Sequence, residues 1–257
     1  MSEENRVIYF DNNATTAVAP EVFEAMKPFL TELYGNPSSI HHFGGQVMAH
    51  VDTARERLAA LLGASPTEII FTSCGTESDN AAIRSALDTC PKRDKIVVSK
   101  VEHPAVLNLA KDLERRGYRV SHIPVDAKGR LDMERAEELI DDETAVVSVM
   151  WANNETGNLY PIKELSELAH RNGALFHTDA VQAVGKVPMN LAESQIDFLS
   201  LSGHKLHATK GIGALYVKRG VRFRPFVEGG IGKAGGVPAR KTLLRKSGWA
   251  WRRNWRV

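Results

Sequence analysis

The chain has 257 residues, of which 43% are hydrophobic and 25% charged. This is the composition of an ordinary globular protein that is long enough to bury a sizeable core. No apolar run approaches the length of a membrane span, and two cysteines, Cys74 and Cys90, are too few for a disulfide framework.

The formal net charge of +2 is distributed unevenly. Residues 231–257 contain eight Lys or Arg and no Asp or Glu. Removing these eight from the 33 basic residues leaves 25 against 31 acidic ones, so residues 1–230 carry a net charge of −6. We therefore expect no nucleic-acid partner for the main body of the chain. Residues 1–5 are acidic and have no apolar signal-peptide core, so we expect a cytoplasmic protein.

In chain order, the first clear pattern is helical. Val47, Val51, Ala54, Leu58 and Leu61 recur every three or four residues, which predicts one buried helix face. From about residue 66 to 217, short β-branched runs alternate with helical patterns. The predicted strands are Glu68–Thr72, Lys95–Ser99, Arg119–Pro124, Ala145–Met150, Ala174–Thr178, Asp197–Leu201 and Gly213–Val217. The predicted helices among them are Glu77–Asp88, Ala105–Arg116, Met133–Ile140 and Ile162–Asn172. This alternation predicts an α/β domain with a mostly parallel, doubly wound sheet and helices on both faces.

Small polar residues follow the first of these strands, at positions 73–76. Ligands of open α/β sheets bind at the carboxyl ends of the strands, and the start of a helix offers free N–H groups to a phosphate. Gly75 would let a ligand approach the backbone, and Thr76 adds a hydroxyl. Taken alone, the segment is more typical of an ordinary helix cap.

Three further polar groups follow later strands. His103 can stack on a planar cofactor or move protons, although a surface histidine is the simpler interpretation of that residue alone. The amides in Trp151–Gly157 suit either a polar ligand or a turn. Asp179 would lie in a dry cleft and need a cationic partner such as a pyridinium nitrogen, unless it caps a helix.

Lys205 ends the segment Ser202-Gly203-His204-Lys205, which follows the strand 197–201. A partly desolvated lysine beside a histidine can form a Schiff base, although most lysines are simply solvated. Phosphate donors, a stacking ring, a carboxylate and a lysine thus occur in that order, each at the end of a strand of one sheet. Together they predict a pyridoxal 5'-phosphate site.

Several segments resemble the cysteine desulfurases of the nitrogen-fixation type, which belong to the class V aminotransferase group. These segments are Tyr9–Thr16, Gly35–Ser39, Phe71–Asp79, Val101–Val106, Trp151–Gly157, His177–Val184 and Ser202–His207. The resemblance runs from about Val7 to Gly230. It implies a fold-type I homodimer in which residues 1–15 belong to a small domain and residues 16–230 form the large cofactor domain. Residues 231–257 would be an aberrant basic tail.

The resemblance also implies a role for each matching residue. Lys205 would carry the cofactor as a Schiff base, and His103 would stack on the ring and assist proton transfer. Asp179 would pair with the ring nitrogen and Gln182 with the ring hydroxyl. The remaining contacts would be to the phosphate, from Thr76, Ser202 and His204 beside Gly75, and to the substrate, from Asn36 and Asn154. No metal is implied.

The reaction implied by the resemblance converts L-cysteine to L-alanine and passes persulfide sulfur to an iron–sulfur scaffold protein. The chain has no match to the family's mobile persulfide cysteine or to the arginine that binds the substrate carboxylate. It also lacks the partner-subunit motif Arg-Arg-Ala-Gly-Thr-Glu-Asn, whose threonine binds the phosphate. We therefore expect this chain alone to transfer little or no sulfur.

The missing motif is compatible with a shifted reading frame of the codons for residues 235–242. Read from the third nucleotide of each codon, their codons permit Arg-Arg-Ala-Gly-Thr-Glu-Asn-Val in order. The basic residues and three tryptophans of the tail are also typical of an RNA-binding segment. We instead expect residues from about 231 onward to be a frameshifted reading of the normal C-terminus.

Two other functions stay open on the sequence alone. One is a relative that acts on another amino acid, such as a selenocysteine lyase. The other is a non-catalytic protein that keeps the cofactor domain as a scaffold. Lys205 and Asp179 argue against the scaffold, because a scaffold needs no Schiff-base lysine. Cofactor absorbance on the purified protein would separate the scaffold from both enzymes.

Overall fold

A computed structural model of the chain describes residues 8–225 and 227, so the predicted tail, residues 231–257, lies outside the described residues. The helices are α1 (Pro20–Met26), α2 (Pro28–Thr31), α3 (His42–Leu62), α4 (Gly75–Thr89), α5 (Pro104–Arg115), α6 (Met133–Leu139) and α7 (Ile162–Arg171). The strands are β1 (Ile69–Thr72), β2 (Lys95–Ser99), β3 (Arg119–Ile123), β4 (Thr144–Ser148), β5 (Leu175–Asp179), β6 (Phe198–Ser202) and β7 (Gly213–Val217). None of these helices is long and apolar enough to cross a membrane.

The seven strands form one sheet in the order β1-β7-β6-β5-β4-β2-β3. Strands β2 to β6 pair in parallel wherever they are neighbours, whereas β7 is antiparallel to both β1 and β6. The predicted mostly parallel sheet is therefore confirmed. Because β4, β5 and β6 are parallel, their carboxyl ends meet at one edge, which is where ligands of such sheets bind.

The sheet is covered on both faces. Successive side chains of a strand point to opposite faces, and in β2 Val97 joins one core cluster while Ile96 and Val98 join the other. Residues of α3, α6 and α7 contribute to the first cluster, and residues of α4 and α5 to the second. Helices on both faces bury the sheet, as predicted for a doubly wound fold.

The predicted elements differ from the observed ones mainly at their ends. Lys95–Ser99 and Gly213–Val217 are found as predicted, and the other boundaries move by one or two residues. One predicted core position is wrong: Leu61 is 37% exposed, whereas Leu62 is fully buried. Leu62 lies four residues after Leu58, so the buried face of α3 continues at Leu62 in the last turn.

Candidate active site

A cavity of about 450 Å³ opens beside the carboxyl ends of β5 and β6 and the start of α4. Nine of the ten predicted site residues line it: Gly75, Thr76, His103, Asn154, Asp179, Gln182, Ser202, His204 and Lys205. Asn36 is not among the lining residues; it is exposed, and its side-chain oxygen accepts a hydrogen bond from the Ser38 amide at 2.9 Å. The fold thus brings the carboxyl ends of five strands, β1, β2, β4, β5 and β6, to one place.

One end of the cavity is formed by the first turn of α4. Cys74, the residue before the helix, makes no side-chain capping bond to the free N–H groups, and Gly75 and Thr76 face the cavity. A side chain at Gly75 would meet the Val181 methyl group at 2.9 Å, so glycine is needed for close packing there. The uncapped N–H groups and the Thr76 hydroxyl form a site suited to a phosphate. We call this the phosphate end.

Gly213 of β7 contacts the same turn. A Cβ at this position of β7 would lie 2.6 Å from the carbonyl carbon of Cys74 and 2.8 Å from its oxygen. The Thr72 hydroxyl also donates a hydrogen bond to that oxygen, at 3.1 Å. The turn before α4 therefore rests directly on the β7 backbone, and sequence reasoning did not assign this role to Gly213.

Lys205 ends the short 3-10 turn Gly203–Lys205 that follows β6. Its ammonium group donates hydrogen bonds to the carbonyl oxygens of Asn13 and Ala14, the second at 2.8 Å. Burial lowers the pKa of Lys205, and the positive charge of Lys186 lowers it further. The lysine is therefore closer to the uncharged, nucleophilic amine than an exposed lysine would be.

Asp179 lies at the end of β5 and is only 5% exposed. Its side chain accepts a hydrogen bond from the Val181 amide at 2.9 Å. Burial raises the pKa of Asp179 above its ordinary value, and that hydrogen bond, His103 and Lys205 offset only part of the rise. A buried carboxylate in this position requires a cationic partner in the cavity. We call the region around Asp179 the ring end.

His103 lies immediately before α5, where its Nδ1 accepts a hydrogen bond from the Ala105 amide at 3.1 Å. That acceptor role places the proton of a neutral imidazole on Nε2. The ring is exposed and lines the cavity. It can therefore cover a planar ligand and exchange a proton with it.

An N-terminal segment covers the cavity. Gln182 donates a hydrogen bond from Nε2 to the Asn13 carbonyl at 2.9 Å, and its Oε1 accepts one from Lys186 at 2.9 Å. His204 Nδ1 lies 3.1 Å from the Thr15 hydroxyl. Asp11 and Asn13 also line the cavity. Sequence reasoning assigned them no role, although the polar run at residues 11–13 was a visible signal.

Two further buried acids lie near Asp179. Glu102 accepts hydrogen bonds from the Ser99 hydroxyl and, at 2.9 Å, from the Met150 amide, and burial raises its pKa to about 8. Asp79, inside α4, is 1% exposed, and its pKa is raised by burial and by the charge of Asp179. Sequence reasoning missed Asp79, because polar residues within a helix are usually exposed. Its place on the apolar face of α4, three residues before Ala82, could have revealed it.

These features define what the cavity can bind. The phosphate end supplies N–H and hydroxyl donors, the ring end a buried carboxylate, and Lys205 an amine of lowered pKa. The three lie in one cavity. The arrangement suits a planar, phosphorylated carbonyl compound that carries a positive charge on its ring.

Known proteins are similar to this chain in sequence and in fold. Residues 8–237 match the Aminotransferase class-V family. A cysteine desulfurase of Trichormus azollae is 59% identical over 224 residues, and the cysteine desulfurase NifS of Azotobacter vinelandii is 58% identical over 224 residues. Each alignment covers 87% of this chain and 56% of the relative, so the chain spans about half the length of these curated relatives.

Solved structures give the same result. A structure titled NIFS-LIKE PROTEIN superposes with a TM-score of 0.92 at 40% identity, covering 95% of this chain and 68% of that one. A structure of SspA in complex with cysteine has a TM-score of 0.91 at 35% identity, covering 95% of this chain and 71% of that one. The chain belongs to the class-V aminotransferase family.

Proposed function

We propose that the protein is a cysteine desulfurase that binds pyridoxal 5'-phosphate through Lys205 and acts on L-cysteine. Completing the conversion to L-alanine requires a persulfide-forming cysteine that accepts the sulfur, and this chain has no match to it. The observation that carries this proposal is the meeting of Lys205, Asp179 and the uncapped start of α4 in one cavity. The relatives named cysteine desulfurase support the choice of reaction.

The residues present fit this cofactor. The phosphate would lie at the start of α4, within reach of Thr76, Ser202 and His204, where Gly75 leaves the backbone accessible. Asp179 would face the ring nitrogen. Gln182 has one amide hydrogen beyond its bond to Asn13 and could donate it to the ring hydroxyl.

Each residue near the reacting atoms has a chemical task. Pyridoxal 5'-phosphate, when bound, supplies a conjugated ring that accepts the electron pair released at the substrate's α-carbon. Lys205 would hold the cofactor covalently, and its amine, whose pKa is lowered by burial, could take a proton from that carbon. Asp179 would face the ring nitrogen and favour its protonated form, and His103 would cover the ring and exchange protons through Nε2.

The substrate and partners follow from the family. L-cysteine is supported by the relatives' names and by the neighbour solved in complex with cysteine. Asn154 lines the cavity and would contact the substrate. Asn36, on the exposed loop before α3, would contribute only through a rearrangement of that loop. Formation of a homodimer in the cytoplasm belongs to the same proposal, as does the family's transfer of sulfur to an iron–sulfur scaffold for cluster assembly in nitrogen fixation. Without the persulfide-forming cysteine, this chain alone should transfer little or no sulfur.

The test is chemical labelling of the full 257-residue chain after incubation with pyridoxal 5'-phosphate. Borohydride reduction followed by peptide mapping should place the label on Lys205, and Lys205→Ala should abolish both the label and the cofactor absorbance. Lys186→Ala removes the neighbouring lysine and is the matched control, which should keep the label on Lys205. A label on another lysine of the folded protein would refute the assignment.

Substrate choice needs a second measurement. With L-cysteine, the loaded chain should exchange the substrate's α-hydrogen with solvent deuterium, and Lys205→Ala should not. A marked preference for selenocysteine over cysteine in this exchange would favour a selenocysteine lyase instead. Exchange that persists in Lys205→Ala would contradict the mechanism.

A further inference from the structure

The ring end of the cavity contains more carboxyl groups than the ring nitrogen requires. Asp179, Asp79 and Glu102 are all at least 95% buried, since none is more than 5% exposed. The positive charge of the nearby Lys205 acts on Asp179. Among the described residues, no three His, Cys, Asp or Glu side chains are arranged to hold a metal ion.

Asp79 is the more deeply buried neighbour of Asp179. The titratable groups that face it are Asp179 and His177 from β5, Glu102 from the segment after β2, and Cys74 from the turn before α4. Each of the two acids and the cysteine disfavours a negative charge on Asp79. Its Oδ1 has no hydrogen-bond partner and lies 3.6 Å from His177 Nε2, which is too long for a hydrogen bond.

His177 does not supply the missing positive charge. The ring is fully buried in β5, with the Ser148 hydroxyl 2.8 Å from Nδ1 and the Ser200 hydroxyl 2.9 Å from Nε2. Burial lowers the pKa of His177 to about 3, so the ring is neutral at physiological pH. The Ser200 hydroxyl also acts on Asp79, where it opposes part of the rise in pKa that burial and Asp179 cause. A hydrogen-bonded row of neutral groups thus crosses three neighbouring strands behind Asp179.

An ionised Asp79 would therefore be a second buried negative charge without a counter-ion. Such a charge is costly, and the group instead takes up a proton. We propose that Asp79 is a positioning residue that carries a proton as a neutral carboxylic acid and so keeps the negative charge of the ring end on Asp179 alone. The purpose of this arrangement rests on the proposed function, but its test needs no cofactor.

The test is the pH dependence of unfolding of the full chain without cofactor, for the wild type and for Asp79→Asn. A carboxyl group whose folded-state pKa is raised stabilises the fold below its unfolded-state pKa and loses that contribution as the pH rises. Asparagine has the same shape and no titration. The unfolding equilibrium constant of the wild type relative to Asp79→Asn should therefore rise between pH 5 and 8, by up to about tenfold per pH unit.

The link to Asp179 is tested by repeating the comparison in an Asp179→Asn background. Removing the neighbouring charge lowers the pKa of Asp79, so the rise with pH should become smaller. An undiminished rise would overturn the link. A ratio that does not change with pH would show a merely structural role and overturn the proposal. An ionised Asp79 paired with a charged His177 holds the same number of protons and would give the same rise, so the infrared measurement below separates that pair from a neutral Asp79.

A second measurement covers the case in which Asp79→Asn does not fold. Infrared spectra of the wild type and of Asp179→Asn, both labelled with carbon-13 at aspartate carboxyl groups, should both retain the band of a protonated acid at pH 7.5. The Asp179→Asn spectrum excludes a contribution from Asp179, and glutamate labelling is avoided so that Glu102 does not contribute. Absence of that band would overturn the proposal. Failure of the cofactor to attach to Lys205 would refute the proposed function and leave both of these results unchanged.

Discussion

The two ends of the cavity consist of chemically different groups. The phosphate end consists of backbone N–H groups and hydroxyls at the start of a 15-residue helix, and the turn that carries them is shaped by Gly75 and Gly213. The ring end consists of buried carboxyl groups, of which Asp179 lies closest to positive charge. One end favours negative charge in a ligand, and the other favours positive charge.

On the proposed function, this difference would divide cofactor binding from chemistry between the two ends. The contacts to a phosphate would be the same before, during and after the reaction, so the phosphate end should contribute mainly to cofactor affinity. Stabilisation of positive charge on a ring changes as electrons enter that ring, so the ring end contributes mainly to rate. Variants at the two ends should therefore change different measured quantities.

The largest effect is expected for Asp179→Ala. On the proposed function, loss of the buried carboxylate removes the group that would keep the ring nitrogen charged, so α-hydrogen exchange of the loaded chain should slow by about a hundredfold or more. Cofactor affinity should fall much less, because the phosphate contacts and Lys205 remain. Exchange is followed by NMR in deuterated water, and affinity by absorbance titration. Equal losses of exchange rate and of cofactor affinity would contradict the proposed separation of rate and affinity between the two ends.

Much of the phosphate end and of the ring end could be predicted from the sequence. Asp179 and Lys205 follow buried strands directly, and the parallel sheet brings such strand ends together. Asp79 could not be placed in this way, because it approaches the site from inside a helix, and its burial depends on how α4 packs on β6. The contact between Lys205 and the Asn13 carbonyl joins residues 192 positions apart and follows no periodicity.

The second largest effect is expected for Glu102, whose replacement should change the free energy of unfolding. The folded-state pKa of Glu102 is about 8, so its contribution to stability is present below pH 4.5 and is lost as the pH rises through about 8. Glu102→Gln does not titrate. It should therefore be more stable than the wild type at pH 8, by roughly 2 kcal/mol, and the difference should shrink toward pH 5.

Urea unfolding at several pH values measures this difference. Glu137→Gln on α6 is the control, because it removes the same charge from an exposed position where solvent screens it. Both hydrogen bonds, from the Ser99 hydroxyl and from the Met150 amide, are accepted by Oε1 of Glu102, so the amide oxygen of glutamine can accept them in the variant. A pH-independent difference would mean that Glu102 is ionised in the folded protein.

At the phosphate end, Gly213→Ala is expected to act on affinity. The new Cβ would lie 2.6 Å from the Cys74 carbonyl carbon, so the turn before α4 must move. The dissociation constant of pyridoxal 5'-phosphate should rise about tenfold, while α-hydrogen exchange at saturating cofactor stays near the wild-type rate. Gly45→Ala, on α3 with no atom within 4 Å of the new methyl group, is the control and should leave affinity unchanged.

The smallest effect is expected between the two ends, at Lys186. Its ammonium group donates a hydrogen bond to Gln182 and lowers the pKa of Lys205 through its positive charge, although burial is the larger cause. Lys186→Met removes that charge, so the pKa of Lys205 should rise and less of its amine should be uncharged at pH 7. Covalent attachment of pyridoxal 5'-phosphate, followed by absorbance, should then be about threefold slower.

Lys210→Met is the matched control, since the charge of Lys210 acts on His204. If both variants slow attachment equally, the effect is one of general charge. If Lys186→Met speeds it, the charge of Lys186 attracts the cofactor phosphate more than it activates Lys205.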